Sequence, residues 1–115
     1  MKLPTDLTWN PPVDIVETEE EVIVLVDIAG MNGNEINVVT DGKVLRINGF
    51  RKNINPPGQK QFHKLEIQVG PFERVIELPV PVDHSRITAR YDHGLLRIRI
   101  AKPDSSKDVK KIQID

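Results

Sequence analysis

The stretch "EEVIVLVDIAG", residues 20–30, decides the fold class. Its apolar side chains recur with the period of two that is typical of a β-strand. One face of that strand carries Val22, Val24, Val26 and Ile28, and the other carries Ile23 and Leu25. A strand that is apolar on both faces is expected to be buried on both, so this segment predicts a central strand.

The same period continues along the chain. It predicts further strands in "EINVV" (35–39), "KVLRINGF" (43–50), "FHKLEIQVG" (62–70), "FERVIELPV" (72–80), "RITARYD" (86–92) and "GLLRIRIA" (94–101). Thr40-Asp41-Gly42 is typical of a tight hairpin between the first two. In the last of them, apolar residues alternate with Arg97 and Arg99, which indicates a sheet with one face in water. The pattern predicts an all-β fold, an antiparallel immunoglobulin-like β-sandwich of seven to eight strands.

Composition limits the function classes. A chain of 115 residues forms one domain. Its net charge is -1, and acidic and basic residues are interspersed, which argues against a clustered nucleic-acid footprint. The absence of cysteine excludes disulfides and thiolate zinc sites. No apolar run approaches the ~20 residues that span a bilayer, and no export signal is visible, so we expect a cytoplasmic protein without a membrane partner.

Residues that could carry chemistry do not form a recognisable catalytic pattern. Asp83-His84-Ser85 contains the residue types of a catalytic triad, but three successive residues point in different directions, so a turn is the better interpretation. His63, His84 and His93 lack the spacing of metal ligands. The glycines of "GMNGN", residues 30–34, precede no predicted helix and indicate a turn. We therefore expect no enzyme activity, no metal and no cofactor.

Five stretches, taken in order, resemble the α-crystallin domain of the small heat-shock proteins. They are "PPVDIVETEEEVIVLVDIAGM", "VLRINGFR", "FHKLEIQVGPFERVIELP", "ARYDHGLLRIRIAK" and the terminal "IQI". The resemblance covers residues 11–102 continuously and resumes at the C-terminus. It implies a short N-terminal arm (1–12), an α-crystallin domain (13–102) and a flexible C-terminal tail (103–115). The implied function is that of an ATP-independent chaperone, a holdase that binds partly unfolded client proteins.

Two features depart from the family pattern. Ile67 stands where the family commonly has arginine after a glutamate, which puts a polar contact there in doubt. The N-terminal arm is shorter than is usual in the family. In that family, the N-terminal arm supplies much of the apolar surface that holds large, shell-like assemblies together. Because the arm is short here, we expect a homodimer or a small homo-oligomer with modest holdase activity.

The C-terminal "IQI" places two isoleucines, Ile112 and Ile114, on the same side of an extended chain. The resemblance implies that they dock into a groove between two edge strands of a neighbouring protomer, as in peptide addition at a sheet edge. The implied groove residues are Ile36, Val38 and Thr40 on one strand and Ile87, Ala89 and Tyr91 on the other. The ten residues "KPDSSKDVKK" before the motif span up to ~33 Å, enough to reach another protomer. A frayed tail is the alternative.

The segment "RKNINPPGQKQ", residues 51–61, is too long and too polar for a tight hairpin loop. In bacterial and plant relatives the corresponding loop carries a short strand that swaps into the partner's sheet. The resemblance therefore implies a dimer in which Asn53 and Ile54 are swapped and the turn consists of Pro56, Pro57 and Gly58. A mobile surface loop is the alternative.

Two single residues leave their roles open. Arg74 lies on the otherwise apolar side of its strand, where either an ion pair between subunits or an arginine extending to solvent would satisfy its charge. Trp9 either packs across the end of the sandwich or contacts clients or other subunits.

Two other function classes compete with the chaperone. A monomeric adaptor resembling the CS-domain co-chaperones would fit the short arm, but not the long loop or the "IQI" tail. A carbohydrate-binding sandwich is disfavoured because the chain has one Trp and one Tyr to stack on sugars. The native mass in solution separates a dimer or larger assembly from a monomer.

Overall fold

The computed structural model describes residues 9–103 and 112–115. Residues 1–8 and 104–111, which hold most of the predicted arm and of the predicted tail, lie outside the described residues. The described chain forms seven strands and a 3-10 turn at Gly33–Glu35. In chain order the strands are β1 (Val13–Glu17), β2 (Glu21–Asp27), β3 (Ile36–Thr40), β4 (Val44–Arg51), β5 (Gly70–Glu77), β6 (Ile87–Asp92) and β7 (Leu95–Ala101).

The strands form two antiparallel sheets. One has four strands in the order β1-β2-β7-β6, and the other has three in the order β3-β4-β5. The predicted all-β sandwich is confirmed, and β2 lies between two other strands, as predicted. The buried core between the sheets consists of Trp9, Val22, Val24, Val26, Ile28, Leu45, Ile47, Phe72, Ile76, Leu96, Ile98 and Ile100.

Burial along the strands follows the alternation in the sequence. In β7 the apolar residues between the arginines are buried, while Arg97 and Arg99 are exposed. The expectation that β2 is buried on both faces is wrong for its outer face. Ile23 and Leu25 are only half-buried there. Both sheets turn one face to the common core, and among the described residues no third layer covers the other face.

The hairpin between β3 and β4 forms as predicted. The carboxylate of Asp41 accepts hydrogen bonds from the backbone N–H groups of Lys43 at 2.8 Å and Val44 at 2.9 Å. These bonds favour the charged carboxylate and lower the pKa of Asp41. Gly42 has a φ of 91°, a conformation that glycine adopts without strain. The turn therefore fixes the register of the hairpin through local contacts.

The predicted strand over residues 62–70 is wrong. β5 begins only at Gly70, and residues 62–69 are exposed and outside any strand. The reason is that β4 pairs with β5 along its whole length, from Val44 opposite Glu77 to Arg51 opposite Gly70. No position remains between them for another strand. The loop therefore spans residues 52–69, longer than the predicted 51–61.

Candidate interaction site

Two edge strands border one side of the sandwich. β3 ends the three-stranded sheet, and β6 ends the four-stranded sheet. The turn after β3 lies against the loop before β6, because a Cβ added at Gly42 would lie 3.1 Å from Nδ1 of His84. At the opposite end, the N–H of Met31, ahead of β3, donates a hydrogen bond of 3.2 Å to the hydroxyl of Tyr91 in β6. The two strands therefore run antiparallel along the same side, which is the arrangement that the predicted groove between them requires.

The six predicted groove residues occupy the inward-facing positions of these strands. In β3, the half-buried positions are Ile36, Val38 and Thr40. In β6, the register places Ile87, Ala89 and Tyr91 opposite the buried Ile100, Ile98 and Leu96. Ala89 is exposed, whereas its neighbours on the same face are half-buried. The middle of β6 is therefore the most open part of the predicted groove.

Polar groups at two of these positions bond within the chain. The hydroxyl of Tyr91 donates to the carbonyl of Ile28 at 2.7 Å, besides accepting from the backbone before β3. The hydroxyl of Thr40 donates to the carbonyl of Val44 at 2.8 Å. Tyr91 and Thr40 thus stabilise the two ends of the predicted groove. Its apolar lining comes from the other four positions.

The terminal isoleucines do not cover this groove in their own chain. Ile112 is 79% exposed and Ile114 is 92% exposed. Two large apolar side chains at the end of the chain are thus left in contact with water. Within the described residues, the tail motif does not pack against the predicted groove of its own chain.

The loop of residues 52–69 exposes a second set of apolar side chains. Ile54 is 79% exposed, Leu65 is 66% exposed and Ile67 is 78% exposed. The two arms of the loop run close to each other and line a cavity of about 110 Å³. At the tip, the ammonium of Lys60 donates to the carbonyl of Gly58 at 3.1 Å. The loop thus carries apolar residues on its surface, outside every strand.

Comparison with known proteins identifies the family to which this sandwich belongs. A family model described as "Hsp20/alpha crystallin family" matches residues 14–115. The chain belongs to this family. It is 34% identical to Small heat shock protein C4 of Rickettsia felis over 105 residues, which are 91% of this chain and 64% of that protein. It thus spans less than two thirds of that relative's length. It is also 34% identical to the 17.6 kDa class I heat shock protein 3 of Arabidopsis thaliana, over 91% of this chain and 68% of that one.

Solved structures of the Hsp20/alpha crystallin family show the same sandwich. A small heat-shock protein from Xylella fastidiosa aligns with a TM-score of 0.79 and 32% identity, over 94% of this chain and 98% of that chain. Heat shock protein 16.0 from Schizosaccharomyces pombe aligns with a TM-score of 0.77 and 29% identity, over 93% and 99% of the two chains. The small heat-shock protein fold predicted from the five stretches is therefore confirmed. Within the described ranges, no helix is both long and apolar enough to cross a membrane.

In this family member, Trp9 packs into the end of the sandwich. It is 6% exposed, and its ring meets that of Phe72 edge-on with centroids 5.4 Å apart. Its indole N–H donates to the carbonyl of Gly70 at 3.1 Å. Arg51 lies over the Trp9 ring and donates through Nε to the carbonyl of Gln68 at 2.9 Å. Of the two roles that the sequence left open for Trp9, the structure shows the packing role.

Arg74 lies on the same face of β5 as the buried Phe72 and Ile76. It is half-buried, and its Nη1 donates to the carbonyl of Pro11 at 3.3 Å. The ion pairs found among the described residues do not include Arg74. An ion pair between subunits stays a prediction for this residue.

The Asp83-His84-Ser85 segment forms a turn. The hydroxyl of Ser85 donates to the carboxylate of Asp83 at 2.6 Å, and the backbone N–H of Ser85 donates to the same oxygen at 3.1 Å. The hydroxyl and then the N–H of Ser85 lower the pKa of Asp83. Ser85 thus directs its proton to Asp83 rather than to His84. Among the described residues, no group of three or more His, Cys, Asp or Glu side chains is placed to hold a metal ion.

Sequence reasoning missed the apolar residues in the second arm of the loop. Their alternation in "FHKLEIQVG" predicted a strand, but residues 62–69 lie outside every strand of the described chain. The same alternation also fits a segment that pairs with another chain. The contact of Arg51 with Trp9 left no sequence signal, because it joins residues 42 positions apart through tertiary packing alone.

Proposed function

We propose that the protein is an ATP-independent chaperone, a holdase that binds partly unfolded proteins and keeps them from aggregating. Membership of the Hsp20/alpha crystallin family supports this class of function. The observation that carries the proposal is the pair of edge strands β3 and β6, which border one groove with apolar side chains. Edge strands present unpaired backbone N–H and C=O groups, and partly unfolded chains offer the same groups together with apolar side chains.

Client contact falls on the apolar positions of the groove, which are Ile36, Val38, Ile87 and Ala89. Three of them are half-buried, so each keeps apolar surface in contact with water. Covering such surface is favourable by about 25 cal/mol per Å² without any energy source. This supports binding that needs no ATP and has little sequence preference.

The tail acts as a reversible cover of the groove on a neighbouring protomer. Burying Ile112 and Ile114 yields roughly 3–6 kcal/mol gross, at about 1.5–3 kcal/mol each. Ordering several tail residues costs about 1 kcal/mol or more apiece, which offsets much of that gain. A single tail therefore binds weakly, and tails hold an assembly only when several act together. Client and tail then compete for one groove.

The loop of residues 52–69 forms the homodimer by crossing to the partner. Exposed apolar residues on this loop favour an interface, since covering them removes them from water. Ile54 lies in the first arm, within the predicted swapped piece, and Leu65 and Ile67 lie two residues apart in the second arm. Dimers linked through their tails give the small homo-oligomer that the sequence predicts. Location in the cytoplasm stays a prediction of the sequence.

The proposal is tested by the light scattering of an aggregating client protein without ATP. We expect the wild type to suppress scattering when it is present at about the molar amount of the client. Ala89→Asp places a charge in the open middle of the groove and should weaken the suppression. Thr88→Asp puts the same charge on the outward side of the same strand and should leave it unchanged. Absence of suppression by the wild type at any ratio would instead favour an adaptor without holdase activity.

A further inference from the structure

On the outer face of the four-stranded sheet, positively charged residues lie on one half and negatively charged residues lie mainly on the other. Paired residues in neighbouring strands point to the same face, so the register assigns each outward side chain a row. One row across β1, β2, β7 and β6 reads Asp14, Leu25, Arg97, Arg90. The next row reads Val16, Ile23, Arg99, Thr88. Arginines thus lie on β6 and β7, and an apolar strip separates them from the acidic half on β1 and β2.

The arginine half leaves positive charge facing solvent. Arg90 lies directly opposite Arg97, and like charges in that position destabilise a sheet. Arg90 approaches Asp92 at 3.6 Å and Arg99 approaches Glu21 at 3.9 Å, with the two arginine side chains 81% and 53% exposed. Ion pairs that are so long and exposed contribute little. The arrangement therefore costs an isolated chain stability that an acidic surface would restore.

The acidic half and the strip complete the face. Asp14 and Asp27 are exposed on β1 and β2. Between the halves lie the half-buried Ile23 and Leu25 of β2. Leu95 of β7, which is 39% exposed, lies between Asp27 and Asp92, the one carboxylate of β6. A negative half, an apolar strip and a positive half lie side by side on one nearly flat surface. Such a surface is complementary to its own copy after rotation by 180°.

We propose that this outer face is an interface between two copies of the chain, related by a two-fold axis through the apolar strip. The arginine half of one copy lies against the acidic half of the other, as the symmetry of an isologous contact requires. The contact uses neither the loop of residues 52–69 nor the groove between β3 and β6. It is therefore independent of the proposed chaperone function.

The area of the outer face limits how tightly the two copies can bind. Four strands spaced by about 4.8 Å, each with about six residues rising about 3.3 Å, give roughly 400 Å². Stable specific interfaces bury about 800 Å² on each partner. The contact is therefore weak by itself and sensitive to salt, and it adds to assemblies that other contacts hold together.

Charge reversal tests this interface in a chain that also carries Ile112→Ala and Ile114→Ala, so that tail docking does not contribute. One variant carries Arg90→Glu and Arg97→Glu, and a second carries Asp14→Lys and Asp27→Lys. Sedimentation velocity over a concentration series at low ionic strength should show self-association weakened about tenfold in each. A control with Lys43→Glu and Arg46→Glu makes the same change of charge at exposed positions of the three-stranded sheet and its hairpin turn, and should associate as the parent does.

The decisive result is rescue. A mixture of equal amounts of the two variants, and a chain with all four reversals, should both regain association, because each restores opposite charges across the interface. Self-association that is unchanged in both variants would overturn the proposal and would favour another acidic partner for the arginines. Failure of the mixture to regain association, with both variants folded by circular dichroism, would overturn it too. If a double variant fails to fold, Arg97→Glu and Asp14→Lys alone are compared in the same way.

Discussion

The guanidinium of Arg51 lies 3.9 Å from the centroid of the Trp9 ring. The same side chain donates through Nε to the carbonyl of Gln68 and through Nη1 to that of Ala29 at 3.3 Å. Arg51 is the last residue of β4, where the loop of residues 52–69 begins, and Gln68 lies near the end of that loop. One side chain therefore joins both ends of the loop to the N-terminal segment.

Replacement of Arg51 by alanine should lower the free energy of unfolding by about 1–3 kcal/mol, because a cation–π contact and several hydrogen bonds are lost together. Trp9 is the one tryptophan of the chain, so its fluorescence reports the site directly. Its emission should shift to longer wavelength as water reaches the ring. Arg51→Lys keeps the positive charge but loses the planar guanidinium and its several N–H donors, so it should be only partly as stable as the wild type.

The matched control is Arg46→Ala in the same strand. The side chain of Arg46 is 57% exposed and approaches Glu73 at 3.7 Å, so its loss should change the stability by less than about 1 kcal/mol. Equal effects of the two substitutions would contradict the role assigned to Arg51. An unchanged emission spectrum in Arg51→Ala would do the same.

Replacement of Gly49 by alanine should destabilise the sandwich. A Cβ there would lie 2.8 Å from the carbonyl oxygen of Glu35 and 2.9 Å from the Phe72 ring. Backbone and a buried ring give way only by disturbing the core, so we expect a loss of about 1–3 kcal/mol in chemical denaturation. Gly33→Ala is the control, because no atom lies within 4 Å of its added Cβ. A Gly49→Ala variant as stable as the control would show that the close approach is relieved without cost.

Deletion of residues 53–59 should convert the proposed dimer into monomers, as measured by light scattering. These residues lie outside every strand, so the sandwich itself should keep its fold and most of its thermal stability. The apolar side chains of the loop would then no longer reach a partner. A dimer that survives the deletion would show that the subunits associate through another surface.

Replacement of Ile112 and Ile114 by alanine should shrink any species above the dimer and leave the melting temperature nearly unchanged. The two side chains are 79% and 92% exposed, so their loss removes no contact from the core. Val39→Ala, at a position 58% exposed on β3, is a control that loses apolar surface elsewhere. A large fall in melting temperature in the tail variant would mean that the tail packs on its own domain.

The sequence predicted those parts of the fold that local pattern determines. The alternation in residues 94–101 sets which face of β7 is buried, and the Asp41-Gly42 pair forms its turn with its own neighbours. Both features depend on residues close in the chain. The same alternation sets which residues of β3 and β6 face inward, whereas the groove between these strands was implied by the family resemblance and stays a prediction.

Long-range packing accounts for what the sequence did not predict. Residues 62–69 have the pattern of a strand but no partner in their own chain, and a pattern alone cannot supply the partner. The burial of Trp9 depends on Phe72 and Arg51, which only the fold brings near it. The charge halves of the outer sheet face depend on the register between β6 and β7, which places Arg90 opposite Arg97.

Competition between a peptide and a client at the groove is the most direct measurement of the central claim. The chain with Ile112→Ala and Ile114→Ala is mixed with an unfolding client, and aggregation is followed with and without a saturating peptide that ends in Ile-Gln-Ile. We predict that the peptide reduces the protection of the client, because both need the apolar surface of Ile36, Val38, Ile87 and Ala89. A peptide ending in Ser-Gln-Ser should have no effect. Client protection that is unaffected by bound Ile-Gln-Ile peptide would contradict the account.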